Sequence, residues 1–110
     1  TAQTVDWFLE GAFREKGFDM NFPAHEAAVR KITSLAEARA WWERSMKHAV
    51  KFLGSQTEEA LAKPLPPGIM GGAPRHSIET GLADHTAHHR GALTVYARLL
   101  GKVPAMPYGG

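Results

Sequence analysis

The chain has 110 residues, 44% of them hydrophobic, with 13 basic and 11 acidic side chains for a net charge of +2 and no cysteine. That length fills one core and not two, so one small domain over residues 1–110 is expected, without disulfides, thiolate catalysis or cysteine-ligated metal. The basic residues are dispersed and no apolar run has membrane length, so we expect no nucleic acid, no membrane and a cytoplasmic location.

In chain order, the segment from Thr1 to about Glu15 reads as a helix that buries Ala2, Val5, Phe8, Leu9 and Ala12, with Asp6, Glu10 and Arg14 on its polar side. The apolar period is under way at once with no capping residue before it, as though the chain were entered in mid-helix. A connection follows over Lys16–Thr33, with a short helical turn at Ala24–Val29 and a solvent-facing His25.

Ser34-Leu35-Ala36-Glu37 is a capping box and opens a long helix. Leu35, Ala38, Trp42, Met46, Ala49 and Leu53 form its seam, and Glu43 and Lys47 stand at the spacing of a favourable pair. Trp41, Val50 and Phe52 flank the seam as exposed apolar candidates. His48 lies beside Ala49 and reads as an ordinary partly buried or surface histidine. The helix stops at Gly54 and resumes briefly through Thr57–Lys63.

Three prolines and three glycines among residues 64–72, with Pro74 after them, forbid a helix and impose a loop over 64–76, long enough to border a site. Ser77 is placed to cap a last helix that carries Glu79 in its first turn, runs to Leu100 and ends at Gly101. The extended tail Val103–Tyr108 is expected to lie against the bundle. No strand pattern or repeat is present, so the fold class is all-α.

The last helix carries the chemistry. In Asp84-His85-Thr86-Ala87-His88-His89-Arg90-Gly91, His85 and His89 stand four residues apart, one above the other on one helix face. At about 100° per residue they share a stripe with Ile78, Leu82, Leu93, Tyr96 and Leu100, while Arg90 and Arg98 point away. That stripe is expected to be buried. Buried imidazoles must be satisfied, and three readings stand: a shared divalent metal, hydrogen bonds within the core, or an exposed pair. His88 falls at the edge of the stripe, as a neighbour of the ligands or a surface group.

The run Asp84–Leu93, continued by Tyr96-Ala97-Arg98-Leu99-Leu100-Gly101-Lys102-Val103-Pro104, resembles the fourth-helix signature of the DinB-like (DNA-damage-inducible) metal-binding superfamily. Asp6-Trp7-Phe8-Leu9 resembles the end of that family's second helix, and the capped helix from Ser34 resembles its third. The resemblance implies a four-helix bundle with a long crossover, three of whose helices are present here, the first being absent. It also implies an H-x3-H metal pair, matched by His85 and His89, with a third histidine from the second helix. That position would fall at or just upstream of Thr1, where this sequence has no histidine. Gln3 is the nearest substitute, and Asp6 and Glu10 would reach the site only from a rotated helix. Ala92 stands where the family often has glutamine, which removes one hydrogen bond near the site but no ligand.

Such a site leaves positions open for water or substrate, as a catalytic metal requires. The resemblance therefore implies a divalent ion, zinc or nickel first, and an enzyme of thiol S-transferase or hydrolase type acting on a small molecule. The nucleophile would be activated water or a low-molecular-weight thiol brought by the substrate, with Asp84 or His88 as outer groups. The alternative is a non-catalytic dimeric helical metal- or ligand-binding stress-response module. Three helices without a fourth leave an apolar groove, so a homodimer, or a second chain supplying the missing helix, is expected.

Overall fold

Val5, Leu9 and Ala12 recur at intervals of three and four residues, and in the computed structural model this stripe is where the core begins. The structure describes residues 1–108. Among these residues five helices form: α1 (Ala2–Phe13), α2 (Phe22–Arg30), α3 (Leu35–Gly54), α4 (Glu58–Ala62) and α5 (Ser77–Leu99). Among the described residues the only strand-like feature is an isolated bridge between Pro64 and Pro74. The chain is all-α, as the periodicity predicts.

The three long helices expected are α1, α3 and α5, and α1 packs against both others. Its buried stripe meets Ala49 of α3, Ile78 of α5 and Leu65 of the long loop, with Phe8, Phe13, Trp42, Met46 and Leu82 packed around them. Edge-to-face packing of Phe13 on Phe52, with centroids 4.9 Å apart, ties the end of α1 to α3. At the other flank Phe18 folds back over Gly11, lying 4.8 Å from the ring of Trp7. A Cβ on Gly11 would come within 2.1 Å of the Phe18 ring, so only glycine admits this close approach.

The capping box at the start of α3 forms in full. The Glu37 amide donates to Ser34 Oγ at 3.1 Å, and the Ser34 amide donates to the Glu37 carboxylate at 3.1 Å. The other end of α5 is equally well determined: Gly101 adopts φ 73°, and Lys102 N–H reaches back to Ala97 O at 2.9 Å and Gly101 N–H to Arg98 O at 2.9 Å. This left-handed glycine closure satisfies the last carbonyls. The loop over 64–76 is pinned by Leu65 N–H to Ala73 O at 2.7 Å and Arg75 N–H to Lys63 O at 2.9 Å.

Several expectations are corrected. Ser77 is the first residue of α5 and not its cap. The helix enters through three successive i→i+3 turns, with Ser77, Ile78 and Glu79 amides bonded to Pro74, Arg75 and His76 carbonyls, so the entry needs no capping side chain. The short turn expected at Ala24–Val29 is part of the longer α2, opened by the Asn21 side chain accepting from the Ala24 amide. His25 is not turned to solvent: its Nε2 lies 3.0 Å from Asp19 O, and its side chain is 24% exposed. Glu43 and Lys47 do not pair. Trp41 and Phe52 are half-buried, and of the three apolar flanks only Val50 is exposed.

The largest departure is on α5. Ile78 is fully buried and Leu82 half-buried, but Leu93, Tyr96 and Leu100 are 66, 64 and 79% exposed. Over the described residues α1 has 12 residues and α5 has 23, so α1 spans about 18 Å of the roughly 35 Å of α5. The described tail does not cover those turns: Val103 and Met106 stand in solvent, and Tyr108, itself exposed, bonds to Arg90. No helix among the described residues is long and apolar enough to cross a membrane.

Candidate metal centre

His85 and His89 sit where the covered part of α5 ends. Their ring centroids are 4.5 Å apart with planes inclined by 70°, so both imidazoles stand on one side of the helix, each half-buried. Of the three sequence readings, this leaves no exposed pair.

The partner that sequence reasoning missed is Thr4, whose Oγ1 lies 3.1 Å from His85 Nε2 across the α1–α5 contact. The roles in this bond follow the tautomer: the hydroxyl donates to a bare Nε2 and accepts from a protonated one. A lone threonine on the flank of an amphipathic helix carries no sequence signal. What places it is its position next to buried Val5.

Burial lowers the His85 pKa from its ordinary value, and the charge of neighbouring His89 lowers it further. At neutral pH His85 is therefore the neutral imidazole that binds metals. His88 is exposed, 5.2 Å from the His89 ring, and Asp84 is exposed on the preceding turn. Both border the pair without converging on it.

Asp6 and Glu10 are occupied elsewhere. Asp6 accepts from the Trp41 indole N–H at 2.8 Å, and Glu10 pairs with Arg14 at 3.6 Å. Gln3 lines the same groove as His89. Among the described residues no group of three His, Cys, Asp or Glu side chains comes together. The two imidazoles fit two positions of a divalent site. Both are nitrogen donors on successive turns, and the lower pKa of His85 favours the ligating form.

The pair opens in two directions. His85 borders a cleft of about 580 Å³ with Phe8, Gly81, Asp84 and His88. His89 borders an apolar groove of about 540 Å³ between α1, α3 and α5, walled by Trp41 and Trp42. A solvent-connected space on each side is what an open site requires.

Comparison with known proteins agrees with the helical signature. No curated protein and no solved structure matches the chain at a significant level. The family model of the DinB family matches residues 18–110, a stretch that begins after α1 and contains α2 to α5 with both histidines. With most of its length matched, the chain belongs to the DinB family.

Proposed function

We propose that this DinB-family chain is a divalent-metal-dependent enzyme of thiol S-transferase or hydrolase type, with His85 and His89 as ligands of zinc or nickel. Its substrate is a small molecule, and the nucleophile is an activated water or a low-molecular-weight thiol carried in by the substrate. The observation that carries the reading is the pair of adjacent half-buried imidazoles on α5. A divalent ion bound there supplies Lewis acidity, which brings the pKa of water or a thiol toward neutrality. The protein's own groups orient the site: Thr4 holds the His85 ring through Nε2, and α1 shields the pair on one side. The expected location is the cytoplasm, with neither nucleic acid nor membrane as partner.

Metal content tests the reading. The full-length protein is expected to carry stoichiometric zinc or nickel, and the double substitution His85→Ala, His89→Ala to abolish it. Unchanged metal content in the double variant would overturn the assignment.

One observation favours a second reading, a non-catalytic dimeric helical metal- or ligand-binding module. The Thr4 hydroxyl already satisfies His85 without a metal. A hydrogen-bonded pair predicts no rise in melting temperature on adding Zn²⁺ or Ni²⁺, whereas a specific site predicts one by mass action.

A further inference from the structure

Two residues that meet beside the His85 cleft both go against local preference. Gly81 stands inside α5, where alanine is the better helix former, and packing does not demand glycine there. A Cβ at that position would lie 3.5 Å from Met70 Sδ and 3.6 Å from the Phe8 ring, at ordinary contact. Met70 is the converse: its φ of 50° is a left-handed conformation in which glycine would be unstrained and methionine is not. Departures of this kind are expected where a site, and not the fold, sets the residue.

Both neighbours of Gly81 are held in place. Phe8 packs against Trp7 and Phe18, with centroids 5.2 and 6.0 Å away, and the Met70 carbonyl accepts from the Ala73 amide at 3.0 Å. Phe8, in the middle of α1, and Gly81 line the cleft of about 580 Å³ that His85 borders. A space that admits a methyl group at contact distance from a ring and a thioether has the thickness of a flat ring, and both walls favour an aromatic partner. We propose that the slot over Gly81, between Phe8 and Met70, seats an aryl end of the substrate, and that Gly81 selects flat apolar groups over thick ones. This substrate class rests on the reading of His85 as part of the metal centre.

The test titrates the full-length, zinc-equilibrated protein with benzyl mercaptan and with cyclohexylmethanethiol, which share a thiol and a carbon skeleton and differ in the flatness of the ring. Tryptophan emission follows binding, and zinc content is measured on the same samples. The aryl thiol is expected to bind saturably and about tenfold more tightly. In Gly81→Ala that preference is expected to vanish through loss of benzyl mercaptan affinity, while the melting temperature rises by about 4 °C. Gly91→Ala is the control: a Cβ there meets open space, so it is expected to raise the melting temperature and keep the preference. Met70→Gly opens the slot and is expected to remove the preference from the other side, by tighter binding of the cyclohexyl thiol. Equal affinity of the parent for the two thiols, no saturable binding of either, a preference that survives Gly81→Ala, or a Gly81→Ala variant that melts below the parent would each overturn the slot.

The metal reading fails separately. Stoichiometric zinc with no aryl preference overturns the substrate class alone. An aryl preference that depends on Gly81 but appears without bound zinc supports the slot and overturns the metal centre.

Discussion

At the scale of the residue, the centre depends on a neutral contact between two helices. Thr4 Oγ1 and His85 Nε2 are 3.1 Å apart in a half-buried setting, where such a bond contributes about 0.5–1.5 kcal/mol. Thr4→Val keeps the shape and removes the hydroxyl. It is expected to lower unfolding stability by about 1 kcal/mol in urea titration, and no loss would mean that water replaces the bond. Gly11 sets a steric limit on the same helix. Gly11→Ala gains helix propensity of about 1 kcal/mol. The new methyl would meet the Phe18 ring at 2.1 Å, however, and overpacking of that kind costs about 1–3 kcal/mol. Net destabilisation is expected, with changed near-ultraviolet circular dichroism from Trp7 as Phe18 is displaced; a variant as stable as the parent would show that the ring yields freely. Spacing alone made His85 and His89 legible, because helical geometry forces i and i+4 together. Thr4 and Gly11 were not legible, since what matters for Thr4 is a partner 81 residues away and for Gly11 one beyond the end of its own helix.

At the scale of the element, legibility follows how local the cause is. The start of α3 was readable to the residue because Ser34 and Glu37 satisfy each other within one turn. The end of α5 was readable because Gly101 supplies a backbone conformation that other residues resist. The start of α5 was misplaced by one position because loop carbonyls, and not a side chain, receive its first amides. The α3 cap also has a pH signature. Hydrogen bonds from the Ser34 side chain, first, and from the Thr33 and Ser34 amides hold the Glu37 carboxyl below its ordinary value. A carboxyl whose folded pKa is depressed contributes stability above its unfolded pKa and loses it as pH falls through the folded one. Melting temperature is therefore expected to drop on the acid side of about pH 4.3, the ordinary glutamate value. Glu37→Gln should lack that part of the drop, so the difference between the two proteins narrows as pH falls. Parallel acid limbs in a pH series of thermal melts would remove Glu37 from the account.

At the scale of the whole molecule, the shape shows what the hydrophobic pattern could not. The radius of gyration is 15.8 Å, against about 13 Å for a compact domain of this length, and the turns of α5 from Leu93 to Leu100 stand largely in solvent. The sequence stripe from Ile78 to Leu100 is continuous, but periodicity records which face is apolar and not whether another helix covers it. Leu93, Tyr96, Leu99 and Leu100 are all more than 60% exposed, a continuous apolar surface of the kind that marks an interface. We propose that in a homodimer this surface is covered by the partner's equivalent. Tyr96→Glu with Leu100→Glu would place carboxylates in that contact, and each charge desolvated without a partner costs several kcal/mol. The dimer dissociation constant is then expected to rise by more than about 100-fold, so that sedimentation at micromolar concentration gives a monomer. Both positions lie on turns beyond His89, so zinc content per chain should stay unchanged. A parent protein that already sediments as a compact monomer would overturn the dimer, and a double variant that remains dimeric would move the interface to another face.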